Sequence, residues 1–420
     1  MIKVKTEIKS NRVQFTWNKR IKGLKGKTLW IEYDVEVGET PRHLANLMFG
    51  LIASDPMSWE KRVMVFDELT PEGLDCLQSF LKMYYHSKGA GGLTHDYGKK
   101  YPKVLGASFG ANKLVGADQM EDVGPILCAN GLGKDGITIS SMTKELGFDM
   151  RCFFLDGQMN KKLMVDRWEA MNKYYKMRKI ESNIIKTNFF QIKRSWTGSY
   201  PYFYAIPLAH HYKSEAILAG ISIHQNKTFI KSDFPAIYSP GESSFSFNYA
   251  TKGSGITFAS PNRSLSLYGV QKLLLERYPD ALKHQRSCCI GSPWCNDCPS
   301  CYRQHLWMSA YGIETISIGL SSERAADKEF FWNKNIGAFG FSGNTALNCL
   351  KKLHGEPYET WIEEANKTAL DLMWRSKDYE EIIMDHFGVY DYDRDDDGFG
   401  WRLQPSKWRR WLDKGFEEKL

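Results

Sequence analysis

Five of the nine cysteines fall within fourteen positions, as Cys288, Cys289, Cys295, Cys298 and Cys301. Two overlapping Cys-x-x-Cys steps, 295–298 and 298–301, bring three thiolates onto one turn. One upstream cysteine then completes a tetrahedron of the kind Zn²⁺ favours. The segment from Met1 to Glu7 alternates polar and apolar residues and lacks the apolar run of a secretion signal. The cysteines are therefore expected in a cytoplasmic, reducing setting, where clustering favours a metal over disulfides. Five thiols compete for four places, His305 is a weaker substitute ligand, and an iron–sulfur cluster is the alternative metal group. Cys76, Cys128, Cys152 and Cys349 are scattered and read as small buried apolar residues.

At 420 residues the chain is too long for one simple core and is expected to hold two or three units. It has no run of about eighteen apolar residues, so no membrane partner is expected. The formal net charge of +7 is modest for this length. It is uneven, however: residues 1–28 carry nine Lys or Arg against one Glu. That pattern fits a solvated strand face, with a site for RNA, nucleotide or an acidic partner as the sharper alternative.

Residues 1–87 read as an N-terminal α+β region. Strands are expected at 2–8, 12–17 and 28–37, and helices after Thr40-Pro41 and Thr70-Pro71. Residues 88–120 are rich in Gly and Lys and read as a linker or lid. From 121 to 320 strand and helix alternate, which predicts a parallel sheet with covering helices. Expected strands are 126–129, 150–155, 216–223 and 255–259, with a strand-like 315–318. Residues 321–420 read as a mainly helical extension.

The segment from Ile126 to Thr138 runs from an apolar strand through Asn130-Gly131-Leu132-Gly133-Lys134-Asp135-Gly136 into a helix. Glycines let backbone N–H groups approach an anion, and a helix N-terminus adds unpaired N–H groups and a favourable dipole. Lys134 and Asp135 are the candidate catalytic pair, the first on phosphate oxygens, the second as a cap or Mg²⁺ ligand. The spacing is neither that of a Walker A loop nor that of a Rossmann fingerprint.

This turn resembles the pyrophosphate loop, Ser-Gly-Gly-x-Asp-Ser, of the adenine-nucleotide α-hydrolase superfamily. Gly133 and Asp135 match; Gly131 and Gly136 stand for the two serines, and Leu132 for a glycine. Asn130, Thr138 or Ser140 could replace the lost hydroxyls. Asp156-Gly157-Gln158, after the next strand, is similar to a step of the QueC (7-cyano-7-deazaguanine synthase) family. So is the cysteine cluster, where Ser287-Cys288 and Arg303 match and Asn296 stands for a glycine. The resemblance covers roughly residues 123–310 and selects Cys288, Cys295, Cys298 and Cys301 as the zinc ligands.

It implies a parallel-sheet, Rossmann-like adenine-nucleotide α-hydrolase core that binds ATP with Mg²⁺ through residues 130–136, 138 and 156–158, with zinc purely structural. The implied activity is adenylation of a carboxylate, 7-carboxy-7-deazaguanine, followed by amide or nitrile formation with ammonia or an amine. Some relatives belong to anti-phage defence systems, so a protein amine is a further acceptor to consider. Arg194, His224 and Asn226 are the substrate-binding candidates. A nucleotide-binding subunit without turnover and a tRNA-modifying enzyme are the competing classes. Assembly as a homo-oligomer or complex subunit is expected.

Two further motifs lie near the end of the chain. Asp393-Arg-Asp395-Asp-Asp397-Gly398 opens like a Ca²⁺ loop but reaches Gln404 where a bidentate Glu is needed, which favours an acidic turn. Trp401, Arg402, Lys407, Trp408, Arg409, Arg410 and Trp411 fit an amphipathic helix, or alternatively a nucleic-acid contact.

Overall fold

In β1 (Ile2–Lys9), Ile2, Val4 and Thr6 are buried while Lys3 and Lys5 are exposed, the period of two that a half-buried strand requires. The same alternation builds β2 (Arg12–Trp17) and β3 (Thr28–Tyr33), and the three strands form an antiparallel meander. Helix α1 (Arg42–Met57) leads to β4 (Val63–Leu69), and α2 (Pro71–Gly89) to β5 (Ser108–Leu114); β4 pairs parallel with both β1 and β5.

The structure, a computed structural model, describes residues 1–57, 60–89, 107–117, 124–157, 161–192, 201–220, 227–228, 239–240, 250–260, 262, 267–288, 291, 293–310 and 312–321. Beyond β5 come β6 (Ile126–Ala129), α3 (Lys134–Glu145), β7 (Met150–Asp156), α4 (Lys161–Arg178) and β8 (Glu181–Thr187). Next are α5 (Phe189–Ile192), a 3-10 turn at Pro201–Ala205, α6 (Ile206–Tyr212) and β9 (Ala216–Leu218). A small ribbon, β10 (Lys227–Thr228) with β11 (Ser239–Pro240), precedes β12 (Thr257–Ala259), α7 (Leu267–Arg277) and α8 (Pro299–Ala310).

Ten strands form one sheet in the order β12-β9-β6-β7-β8-β3-β2-β1-β4-β5. Strands β6, β7, β8, β9 and β12 are mutually parallel, and β8 joins the N-terminal meander antiparallel through β3. The regions expected as separate units at 1–87 and 121–320 therefore share a sheet. They also share a core on one face, where Phe15, Phe49 and Phe66 continue into Leu127, Phe153 and Phe203. On the other face of the parallel half, Cys128, Cys152 and Phe154 pack with Ile137, Met171, Tyr174 and Leu274 of α3, α4 and α7. Adjacent residues Phe153 and Phe154 thus serve opposite layers, as the pleat dictates.

Three expectations are corrected. Residues 108–114, read as linker from their glycine content, are an edge strand whose backbone pairs with β4. Residues 315–318 form a 3-10 turn rather than a strand. Strands β4 and β8, unpredicted, both lie inside the sheet. The extension 322–420, with its acidic turn and Trp-rich tail, lies outside the described residues. No helix among the described residues is long and apolar enough to cross a membrane.

Candidate functional site

Counted along the chain, the five parallel strands lie in the order 3-2-1-4-5, so the topology reverses between β6 and β9. Open α/β sheets bind ligands at that reversal, beyond the carboxyl ends of the strands. The turn Asn130–Gly133 leaves β6 at this point and enters α3.

Its shape is set by short-range bonds. Asn130 Oδ1 accepts from Leu132 N at 2.9 Å, and Asn130 Nδ2 donates to Ser140 Oγ at 2.9 Å. Tyr175 donates to Asn130 O at 2.8 Å. Leu132, fully buried, sits at φ 60°, the left-handed region that disfavours side chains. Glycine would adopt this conformation without steric cost, so a buried leucine here is held against its own preference. Gly136 packs against β6: a Cβ would come within 2.9 Å of Asn130 Cα and Oδ1. Any side chain there would collide with the residues that leave β6, so the position is restricted to glycine. At Gly133 a Cβ would meet nothing, so the space above the helix start stays open, and Gly133 brings no capping side chain.

On the first turn, Lys134 Nζ pairs with Asp135 Oδ2 at 2.6 Å, with the lysine side chain 5% exposed. Gly220, just past β9, lies so close to Asp135 that a Cβ would clash with it. From the end of β12, fully buried Asn262 donates through Nδ2 to Asp135 O at 3.2 Å. Neither Asn262 Oδ1 nor Asp135 Oδ1 has a hydrogen-bond partner among the described residues, though both atoms are buried. Such orphans cost about 1–3 kcal/mol each, and a bound cation or donor group removes that cost. Asn262 is not among the residues expected from sequence; its only signal is its place three residues after β12, a strand that pairs with β9.

Asp156 ends β7, next to β6, and is buried; a Cβ on Gly157 would meet the Phe190 ring. Thr138 donates to Lys134 O at 2.8 Å. Ser140 donates to Ile137 O at 3.1 Å and also meets Tyr174. Gln158, Arg194, His224 and Asn226 lie outside the described residues.

The cysteine cluster stands against this turn. The thiols of Cys288, Cys295, Cys298 and Cys301 lie within 4.8 Å of one another, and none is in a disulfide. Sulfur separations are 3.9 Å for Cys288–Cys298, 3.8 Å for Cys295–Cys301 and 3.5 Å for Cys298–Cys301. A tetrahedron with Zn–S bonds of about 2.3 Å has edges of about 3.8 Å, so the four residues can hold a metal ion. Asn296 takes φ 56° in the first Cys-x-x-Cys step, a left-handed conformation that Asn tolerates better than most residues. Backbone N–H groups point at sulfur, Gly291 to Cys288 at 3.2 Å and Cys301 to Cys298 at 3.4 Å. A hydrogen bond from Cys301 holds the Cys298 thiol down at about 5, whereas burial pushes Cys295 up to about 11. His305 is engaged with Thr315 Oγ1 at 2.7 Å rather than with the cluster, and Cys289 lies outside the described residues.

Cluster and turn are joined by three consecutive residues. Arg286 N donates to Leu132 O at 2.6 Å, and Ser287 Oγ lies 3.4 Å from Lys134 N. Cys288 O accepts from Arg167 of α4 at 2.5 Å. Arg286 also pairs with Asp166 at 2.9 Å.

These features define the class: an α/β protein with a largely parallel sheet, a glycine-rich helix start at its switch point and a four-cysteine metal-competent cluster braced against it. Beyond that class, no protein-family model and no curated protein matches the chain.

Proposed function

We propose that this chain binds ATP at the Asn130–Gly136 turn and uses it to activate a carboxylate, as the QueC-like enzymes it resembles do. The observation that carries the reading is an open, glycine-started helix N-terminus at the switch point, with Lys134 and Asp135 on its first turn. Backbone N–H groups there meet developing phosphate charge without reorganisation. The parallel order 3-2-1-4-5 suits an adenine-nucleotide α-hydrolase core, and the positive φ at Leu132 suits a loop built for glycine.

In the proposed reaction a carboxylate oxygen attacks the α-phosphorus of ATP. The bond to the bridging oxygen breaks and pyrophosphate leaves toward residues 131–136. Ammonia or an amine then adds to the acyl carbon, AMP departs, and loss of a proton leaves an amide. Lys134, now paired with Asp135, would meet the phosphates, and Asp135 would hold Mg²⁺, which would supply charge neutralisation when bound. Zn²⁺ is the ion proposed for the cysteines. With four sulfurs it keeps no open position, so it holds structure rather than substrate. The proposed carboxylate is 7-carboxy-7-deazaguanine, and a protein amine is one acceptor to test.

The test is release of AMP and pyrophosphate from ATP by the zinc-replete full-length chain, with and without 7-carboxy-7-deazaguanine and ammonium. Carboxylate-dependent release is expected, and Asp135→Ala should cut it by roughly 100-fold or more. Unchanged turnover in that variant would remove the turn from the mechanism. A second reading, nucleotide binding without turnover, is favoured by one observation: Asn130, Thr138 and Ser140 are already occupied by internal hydrogen bonds. Calorimetric ATP binding with no AMP formed would select it.

A further inference from the structure

The turn lacks the hydroxyls that its resemblance calls for, and none of the three nearby candidates is available. Asn130 spends both side-chain atoms on Leu132 N and Ser140, and Thr138 and Ser140 donate to helix carbonyls. A different hydroxyl arrives from a distant part of the chain. Ser287 Oγ stands 3.4 Å from Lys134 N and accepts a hydrogen bond from Gln285 Nε2 at 2.9 Å. Both contacts use the oxygen as acceptor, so the hydroxyl proton is left to point elsewhere. Ser287 is half-buried, which leaves it reachable.

We infer that the Ser287 hydroxyl donates to a phosphate oxygen of the bound nucleotide, supplying from the cysteine segment what the turn itself lacks; this rests on the ATP reading above. Three restraints fix its position. The preceding N–H, that of Arg286, is bonded to Leu132 O at 2.6 Å. Its own carbonyl accepts from Ser300 Oγ at 3.1 Å, and the next residue, Cys288, belongs to the metal-competent cluster. Gln285, 1% exposed, is in turn held by Gln271 and Gln304 at 3.1 and 3.2 Å, so the acceptor side of Ser287 is anchored in the interior. An independent observation points to a ligand here: Asn262, 0% exposed and bonded to the first turn of α3 through Nδ2, keeps Oδ1 without a partner among the described residues.

The experiment is calorimetry on the zinc-replete full-length chain with three probes: inorganic pyrophosphate, ATP with Mg²⁺, and adenosine. Zinc content is measured in parallel. Ser287→Ala should bind pyrophosphate and ATP roughly tenfold more weakly, the loss of one hydrogen bond to a charged group. Its adenosine affinity and zinc content should stay at the wild-type level. Ser287→Thr, which keeps a hydroxyl, should bind pyrophosphate nearly as the wild type does. Wild-type pyrophosphate affinity in Ser287→Ala overturns the inference. So does loss of zinc in that variant, since Ser287 would then serve the cluster instead. Wild-type protein that binds neither pyrophosphate nor ATP overturns the ATP reading itself, an outcome separate from both.

Discussion

The N-terminal meander and the region around the cysteines are held together by different physics. In the first, Phe49 stacks on Phe15 at 4.6 Å and Trp17 at 5.6 Å and meets Phe66 edge-on at 6.0 Å, all fully or nearly buried. Aromatic burial of that extent needs no further staple. Around the cysteines the apolar cluster is small: Leu275, Trp294, Met308 and Leu320 surround the thiols. A segment so short of apolar contacts needs a cross-link, and a metal ion on the four thiols would supply one. The sheet that joins the two regions lets one half be a scaffold while the other concentrates polar groups at its switch point.

The largest expected effect breaks this contrast from the metal side. Structural zinc sites contribute roughly 10–16 kcal/mol in small peptides, comparable to the whole stability of a domain. Chelation, or Cys298→Ser, should abolish amide-exchange protection in Arg286–Ala310 and loosen Leu132–Lys134, while β1 and β2 remain protected. Equal loss across both regions would mean the scaffold depends on the metal as well.

A smaller effect tests Glu60, the one buried carboxylate among the described residues of the scaffold. Glu60 accepts from Arg62 Nε and Nη2 at 2.9 Å each, and from Lys22 N at 3.2 Å. Burial alone would raise its pKa, but these bonds win and hold it down at about 2. A depressed carboxylate stabilises the fold above its unfolded pKa, near 4.5, and that contribution fades as the pH falls toward 2. Glu60→Gln should therefore cost ~1–3 kcal/mol at neutral pH, discounting for the partly exposed Arg62. Denaturant melts should show wild type and variant converging near pH 2. A gap that persists there would point to packing rather than charge.

What could be read from residues follows the same division. The cysteine ligands and the strand–turn–helix at 126–145 declare themselves, because thiol spacing and glycine placement are local requirements. Strand β8, Glu181-Ser-Asn-Ile-Ile-Lys-Thr, does not: its apolar residues are few, and its place depends on pairing with β7 and β3 on either side. Strand β5 is hidden by Gly110 and Lys113, tolerable because among the described residues it is an edge strand paired with β4 alone. Ser287 shows only as the neighbour of a cysteine and Asn262 only by its place after β12; neither position alone announces a contact with α3. Each matters only because the fold returns a segment more than 120 residues away to the start of α3.

The smallest effect is a difference between two substitutions of Leu132, where both kinds of physics meet in one residue. Its side chain is fully buried in the layer under α3, while its backbone sits at φ 60°. Truncation to alanine should cost about 2–5 kcal/mol, the ordinary loss for a buried leucine. Leu132→Gly removes one more carbon, worth about 0.8 kcal/mol of burial. It also relieves about 1–2 kcal/mol of left-handed strain. The glycine variant should thus match the alanine variant or exceed it by up to about 1 kcal/mol, whereas at a helical position it would fall short by about that much. Alanine more stable than glycine by a full kilocalorie, about 1 kcal/mol, would overturn the left-handed turn. It would also remove the reason Arg286 N meets Leu132 O, and the cysteine segment would then brace a different loop shape.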